Sequence, residues 1–177
     1  FAILLVSMGR LADQFGRKIY GIGPGAPANQ NIQKMIDTKD FGLDGWTLVE
    51  SSEQGMLSQV DRAVRRKEWI AFLAWEPHPM NSQFQIAYLS GGDAYFGPNY
   101  GRATVYTVTR RDLSKNCPNL ARLLSQLTFT VDMENQIMGI LGEGSDGKAA
   151  AAQYLKAHPD LLSGWLAGVT TRDGQDG

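Results

Sequence analysis

Apolar positions in the first hundred residues follow two alternating rhythms. Ile19 and Ile22, with Tyr20 between them, give a short alternation over 17–23 that reads as a strand. Pro24-Gly25-Ala26-Pro27-Ala28-Asn29 then turns the chain, and Ile32, Met35 and Ile36 recur at helical spacing up to Thr38. Pro27 suits the first turn of that helix, where a missing N–H leaves nothing unpaired. The same order repeats at once. Residues 46–49 read as a second strand, and Ser51-Ser52-Glu53-Gln54 opens a second helix, with a serine to cap it and an acid in its first turn. Met56, Leu57, Val60 and Val64 mark its expected buried stripe. Residues 68–75 form a third strand, stopped by Pro77 and Pro79. A β-α-β-α-β order implies parallel strands with right-handed crossovers.

The later chain reads differently. Residues 85–90 and 104–109 are expected as two more strands, separated by the Gly- and Pro-rich stretch 91–101. After Arg110 the rhythm is helical. Leu120, Leu123, Leu124 and Leu127 mark one helix, and Met133, Ile137, Ile140 and Leu141 a second that ends at Gly142 and Gly144. An alanine-rich helix follows over 148–157 and a short one over 160–167, with no strand signal past Thr130. No internal repeat or low-complexity linker interrupts this order.

Composition narrows the function classes. The 177 residues, 43% of them hydrophobic, suffice for one domain or two small ones. Seventeen basic and 18 acidic residues give a net charge of −1, so no basic field gathers nucleic acid. The basic runs at 62–67 and Arg110-Arg111 read as solvated faces. Cys117, the single cysteine, excludes an intrachain disulfide, and Pro118 beside it suggests a helix start. His78 and His158 lie far apart without ligand-spaced partners, so neither a metal nor another cofactor is expected. The apolar stretch 1–8 is too short to span a membrane and lacks the flanks of a complete export signal.

Candidate chemistry gathers where the third strand ends, in Phe72-Leu73-Ala74-Trp75-Glu76-Pro77-His78-Pro79. Open α/β sheets bind ligands outside the carboxyl ends of their strands. An indole face there attracts cations, quaternary ammonium groups above all. A tryptophan that merely caps the core is the competing reading of Trp75. The turn Pro24-Gly25-Ala26-Pro27-Ala28 offers backbone N–H groups at a helix start to an anion, or serves as a plain strand-to-helix turn. Glu76 and His78 form no catalytic pair, because the prolines splay them and no Ser or Cys nucleophile motif lies nearby. No catalytic residue is assigned.

Several of these segments resemble the substrate-binding proteins of ABC importers for choline, glycine betaine and related quaternary amines. They are Lys18-Ile19-Tyr20-Gly21-Ile22, Val49-Glu50-Ser51-Ser52-Glu53-Gln54-Gly55-Met56-Leu57, the 72–81 run, Tyr88-Leu89-Ser90-Gly91-Gly92-Asp93 and Phe96-Gly97-Pro98-Asn99-Tyr100-Gly101. The resemblance runs in order from about Leu11 to about Leu166. It implies an α/β, type II periplasmic-binding-protein fold, with one lobe of mostly parallel sheet and flanking helices followed by a helical C-terminal segment. Residues 1–10 are expected to be atypical, 11–109 to match the family's second lobe, and 110–177 the helices that return to its first lobe. The first lobe's strands would precede Phe1, so the chain is expected to be a member lacking its N-terminal portion.

Family sites enclose the ammonium in an aromatic box drawn from both lobes, and Trp75 matches the second lobe's tryptophan, with Glu76 beside it. Choline-binding members carry a Gly-Asn pair where Gly25-Ala26 stands, so a carboxylate-bearing ligand is favoured over choline. One exposed cation–π contact gives about 0.5–1 kcal/mol, whereas millimolar affinity needs about 4. The sequence is therefore expected to act as a non-enzymatic, self-associating binder, a two-fold homodimer for which exchange of the C-terminal helices is one route; helices that fold back on their own lobe would instead leave a monomer. Tyr106, Tyr154 and Trp165 are candidates to complete the box only where self-association brings them to Trp75. The resemblance further implies a periplasmic setting and an ABC permease partner, although the sequence displays no export signal. A structural or interaction protein that keeps the scaffold without binding solute is the alternative.

Overall fold

The computed structural model describes residues 8–142 and 144–170, which form two compact units. The first comprises 8–75 with Met80–Ala103, and the second Glu76–Pro79 with 104–170.

Three parallel strands, β1 (Lys18–Tyr20), β2 (Thr47–Val49) and β3 (Ala71–Phe72), form the first unit's sheet in the order β2-β1-β3. Tyr20 pairs with Val49 on one side and with Phe72 on the other. Helix α1 (Pro27–Asp37) connects β1 to β2, and α2 (Glu53–Arg66) connects β2 to β3. Proline opens α1, and the Ser52 hydroxyl accepts the Gly55 N–H at 3.1 Å to cap α2. Both starts are those the sequence predicts. Ile32 and Met35 of α1 pack with Phe15, Ile19, Leu43, Trp46 and Ala71 in one apolar core. On α2 the buried stripe is Met56, Val60 and Ala63, whereas Val64 is exposed. A 3.6-residue period carries 56, 60 and 63 along one face and turns 64 off it.

The sheet is smaller than the sequence pattern predicts. β3 contributes two ladder residues rather than the whole of 68–75, and Trp69 is exposed. After Leu73, whose N–H donates to the Tyr20 carbonyl at 2.8 Å, the chain leaves the sheet. Neither 85–90 nor 104–109 forms a strand. Val105, Tyr106 and Val108 are 94%, 77% and 90% exposed. Alternation fits a segment for a sheet, but strand pairing needs a neighbour, and among the described residues 104–109 has none. Among the described residues no strand of this sheet lies on the outer side of β3. Beside it lies a cavity of about 560 Å³ lined by Phe15, Ile19, Met35, Ala71, Tyr88 and Phe96, with 85–89 along its rim. Single-turn helices α3 (Met80–Gln83), α4 (Asp93–Phe96) and α5 (Pro98–Gly101) complete this unit. Tyr95 of α4 donates its hydroxyl to Asp40, and that carboxylate raises the phenol pKa above its ordinary value.

The second unit is helical: α6 (Leu113–Asn116), α7 (Pro118–Gln126), α8 (Val131–Gly142), α9 (Gly147–Ala157) and α10 (Pro159–Leu166). Its core is Met133, Tyr154 and Trp165, with Leu127, Ile137, Ile140, Leu155 and Leu161 packed around them. Asp146 caps α9 by accepting the Ala149 N–H at 2.8 Å. Gln126 donates to the Trp165 carbonyl, which ties α7 to α10. Asn119 brackets Thr170, accepting its N–H at 2.9 Å and donating to its carbonyl.

Candidate functional site

Because the three strands are parallel, the segments after Tyr20, Val49 and Phe72 leave the sheet at one edge. That edge carries the turn before α1, the carboxylate of Glu50 and, three residues beyond β3, Trp75.

The turn is held from beneath by Asn29, which is 1% exposed. Its side-chain oxygen accepts the Ile22 N–H at 3.1 Å. Its amide nitrogen donates to the carbonyls of Ile22 at 2.8 Å and Gly23 at 3.2 Å, and to Glu50 Oε1 at 2.9 Å. One amide thus joins the β1–α1 turn to the end of β2. The close approach requires glycine at 21, where a Cβ would stand 2.5 Å from Asn29 Oδ1.

Of the five turn residues read from the sequence, Pro24 and Pro27 have no N–H, and that of Ala26 donates to the Gly23 carbonyl at 3.2 Å. Gly25 and Ala28 remain, their N–H groups bonded to no acceptor among the described residues. They stand at the positive end of α1, whose N-cap Ala26 supplies no side-chain oxygen. Glu50 is exposed, and its carboxylate brings a negative charge to the same turn.

Trp75 is half-buried, and its carbonyl accepts a hydrogen bond from Asn81 Nδ2 at 2.9 Å. Glu76 is exposed and opens the segment that packs with the second unit, where the buried His78 donates its backbone N–H to Asn135 Oδ1 at 2.8 Å. Trp75 and the 24–28 turn therefore share the first unit, and Glu76 does not.

The proposed box completers need correction. Tyr154 and Trp165 are core residues, 7% and 8% exposed, because helical spacing on α9 and α10 turns them inward against Met133. Tyr106 alone of the three is exposed. Sequence reading singled out none of Glu50, Asn29 and Asn81 as site residues. An asparagine in the first turn of a helix after a Gly-Pro turn is the one signal that pointed to Asn29. Among the described residues no group of three His, Cys, Asp or Glu side chains is arranged to hold a metal. No described helix is long and apolar enough to cross a membrane.

An α/β lobe of this order, with an indole and a helix-start turn at the carboxyl edge of its sheet, defines a periplasmic-binding-protein-like lobe. The chain belongs to the family of substrate-binding domains of ABC-type glycine betaine transport systems, which matches residues 6–157. That family consists of extracytoplasmic binding proteins of ABC importers. The glycine betaine/carnitine transport binding protein GbuC of Listeria monocytogenes serotype 1/2a (strain 10403S) is 29% identical over 168 residues, covering 94% of this chain and 54% of the relative. An ABC-transporter choline-binding protein solved with choline is 49% identical, with a TM-score of 0.69 over 98% of this chain and 61% of that one. Lactococcal OpuAC, closed around glycine betaine, is alike in fold, with 24% identity and a TM-score of 0.64 over 93% of this chain and 63% of that one. The chain thus spans less than two thirds of the length of these proteins.

Proposed function

We propose that this chain is a non-enzymatic binding module for a quaternary ammonium solute of the glycine betaine type. The observation that carries the reading is 49% identity across 98% of the chain to a protein solved with choline. Trp75 supplies an aromatic wall for the ammonium group, with Glu76 next to it in sequence. The turn Pro24-Gly25-Ala26-Pro27-Ala28 receives the carboxylate through the Gly25 and Ala28 N–H groups. Residues 11–109 act as the solute-binding lobe, and 110–177 as the helical segment that accompanies it. The setting is extracytoplasmic, and the partner that takes delivery is an ABC permease.

Ligand choice rests on opposing terms. Two free N–H groups and the positive end of α1 favour a carboxylate, whereas Glu50 opposes one. Ala26 offers no side-chain amide to a choline hydroxyl, which tips the balance to betaine. Calorimetric titration is expected to give glycine betaine the lower Kd. Choline tighter by tenfold or more, about 1.4 kcal/mol, would reverse the assignment. Absence of binding to glycine betaine, choline and trimethylamine N-oxide alike would leave a scaffold with a structural or interaction role.

The binding form is a homodimer, built by exchange of the C-terminal helices. Phe129, Val131 and Leu120 are 56%, 42% and 46% exposed in the second unit. Apolar exposure of this kind is a liability for a lone chain, and covering it stabilises both copies at about 25 cal/mol per Å² before association costs. Light scattering at micromolar concentration should report twice the 19.4 kDa chain mass. A single 19.4 kDa species would defeat the dimer.

A further inference from the structure

We infer that Asn81 is a positioning residue that sets the orientation of the Trp75 indole, an inference that rests on Trp75 being the ligand's aromatic wall. Sheet bonding ends with the Leu73 N–H, two residues before Trp75. The chain then leaves for the second unit over Glu76–Pro79 and returns at Met80, which is 0% exposed and anchors α3. Asn81, the next residue, ties the two ends of this excursion together through its 2.9 Å bond to the Trp75 carbonyl. Its other end is also fixed, since the Tyr88 hydroxyl donates to Asn81 Oδ1 at 2.9 Å. The Tyr88 ring in turn meets Tyr100 edge-on, with centroids 6.2 Å apart.

The amide can work in one orientation only. Turned over, it would set its oxygen against the Trp75 carbonyl and its N–H₂ against a hydroxyl that must then accept. Asn81 therefore acts as a directional link: Tyr88 holds the amide, and the amide holds the main chain that carries the indole. A cation–π contact depends on where the ring face points, so the link acts on affinity without touching the ligand.

Asn81→Asp is the discriminating substitution. It keeps size and the acceptor for Tyr88, but presents an oxygen to the Trp75 carbonyl in place of a donor. Calorimetry with glycine betaine and choline should show Asn81→Ala and Asn81→Asp each weakening binding about tenfold, the scale of one lost hydrogen bond to a fixed group. Neither should add to the loss already caused by Trp75→Ala, since both act through the same ring. Equal losses with and without Trp75, or no loss at all, overturn the inference and leave the wall assignment standing. If Trp75→Ala itself changes nothing, the wall assignment falls and takes this inference with it.

A second readout needs no ligand. In the ¹H–¹⁵N spectrum, Asn81→Asp should shift or broaden the Trp75 indole N–H signal while those of Trp46 and Trp165 stay in place. An unmoved Trp75 signal is fatal to the proposal. Should the Asn81 variants fail to fold, Tyr88→Phe removes only the far link and should move the same signal. No movement there is equally fatal.

Discussion

Replacing Trp75 with alanine is expected to weaken binding of every quaternary amine by about thirtyfold. A desolvated cation–π contact contributes about 2 kcal/mol, and each 1.4 kcal/mol is a factor of about ten in Kd. Trp75 is half-buried, so one part of the residue is held by the protein and the rest is exposed. Truncation removes the attractive face and leaves the cation facing water. Trp75→Phe, which keeps a smaller ring with a weaker quadrupole, should fall between wild type and Trp75→Ala. Loss common to choline and betaine separates this wall from the 24–28 turn, whose contribution depends on the ligand carboxylate. Unchanged affinity for every amine in Trp75→Ala would remove the wall from the site.

Local signals proved legible in the sequence, and distant partnerships did not. Pro27, Ser52 and Pro118 announce helix starts that the structure keeps, because capping and the proline at a first helical turn are settled within a few residues. That β1, β2 and β3 run parallel followed from the alternation of strand and helix, whereas their order in the sheet did not. Residues 85–90 and 104–109 carry a strand's alternation, yet pairing is decided by whatever lies alongside, which a periodic pattern cannot state. Tyr154 and Trp165 show the same limit for aromatics: a ring on a helix reads alike whether it faces a ligand or Met133. Trp75 and the 24–28 turn stood out in the sequence, with help from family motifs. Their supports did not, since Asn29 reaches Glu50 across 21 residues and Asn81 closes a loop whose middle belongs to the other unit.

Asn29→Ala is expected to destabilise the first unit by about 2–4 kcal/mol and to lower Tm by about 10 °C for a chain of this size. The substitution strands the N–H and the carbonyl of Ile22, both satisfied by Asn29 from a position 1% exposed, and leaves the Gly23 carbonyl with the Ala26 N–H as its remaining donor. Each buried polar group left without a partner costs about 1–3 kcal/mol. Ile22 is only partly buried, so water recovers some of that loss and the sum stays below two full penalties. Asn29→Asp tests whether polarity rather than size matters. It keeps an acceptor for the Ile22 N–H but sets an anionic oxygen against two carbonyls and the Glu50 carboxylate. At neutral pH it should therefore be at least as damaging as alanine. Glu50→Gln in that background restores one donor–acceptor pair with reversed polarity, and should recover part of the loss but not that of the two carbonyls. Gly21→Ala reaches the same network from the other side, because its Cβ would displace the Asn29 oxygen. Thermal unfolding followed by circular dichroism ranks the four variants. An Asn29→Ala protein within about 0.5 kcal/mol of wild type, the range of an ordinary surface change, would show that the turn before α1 holds its shape without the amide.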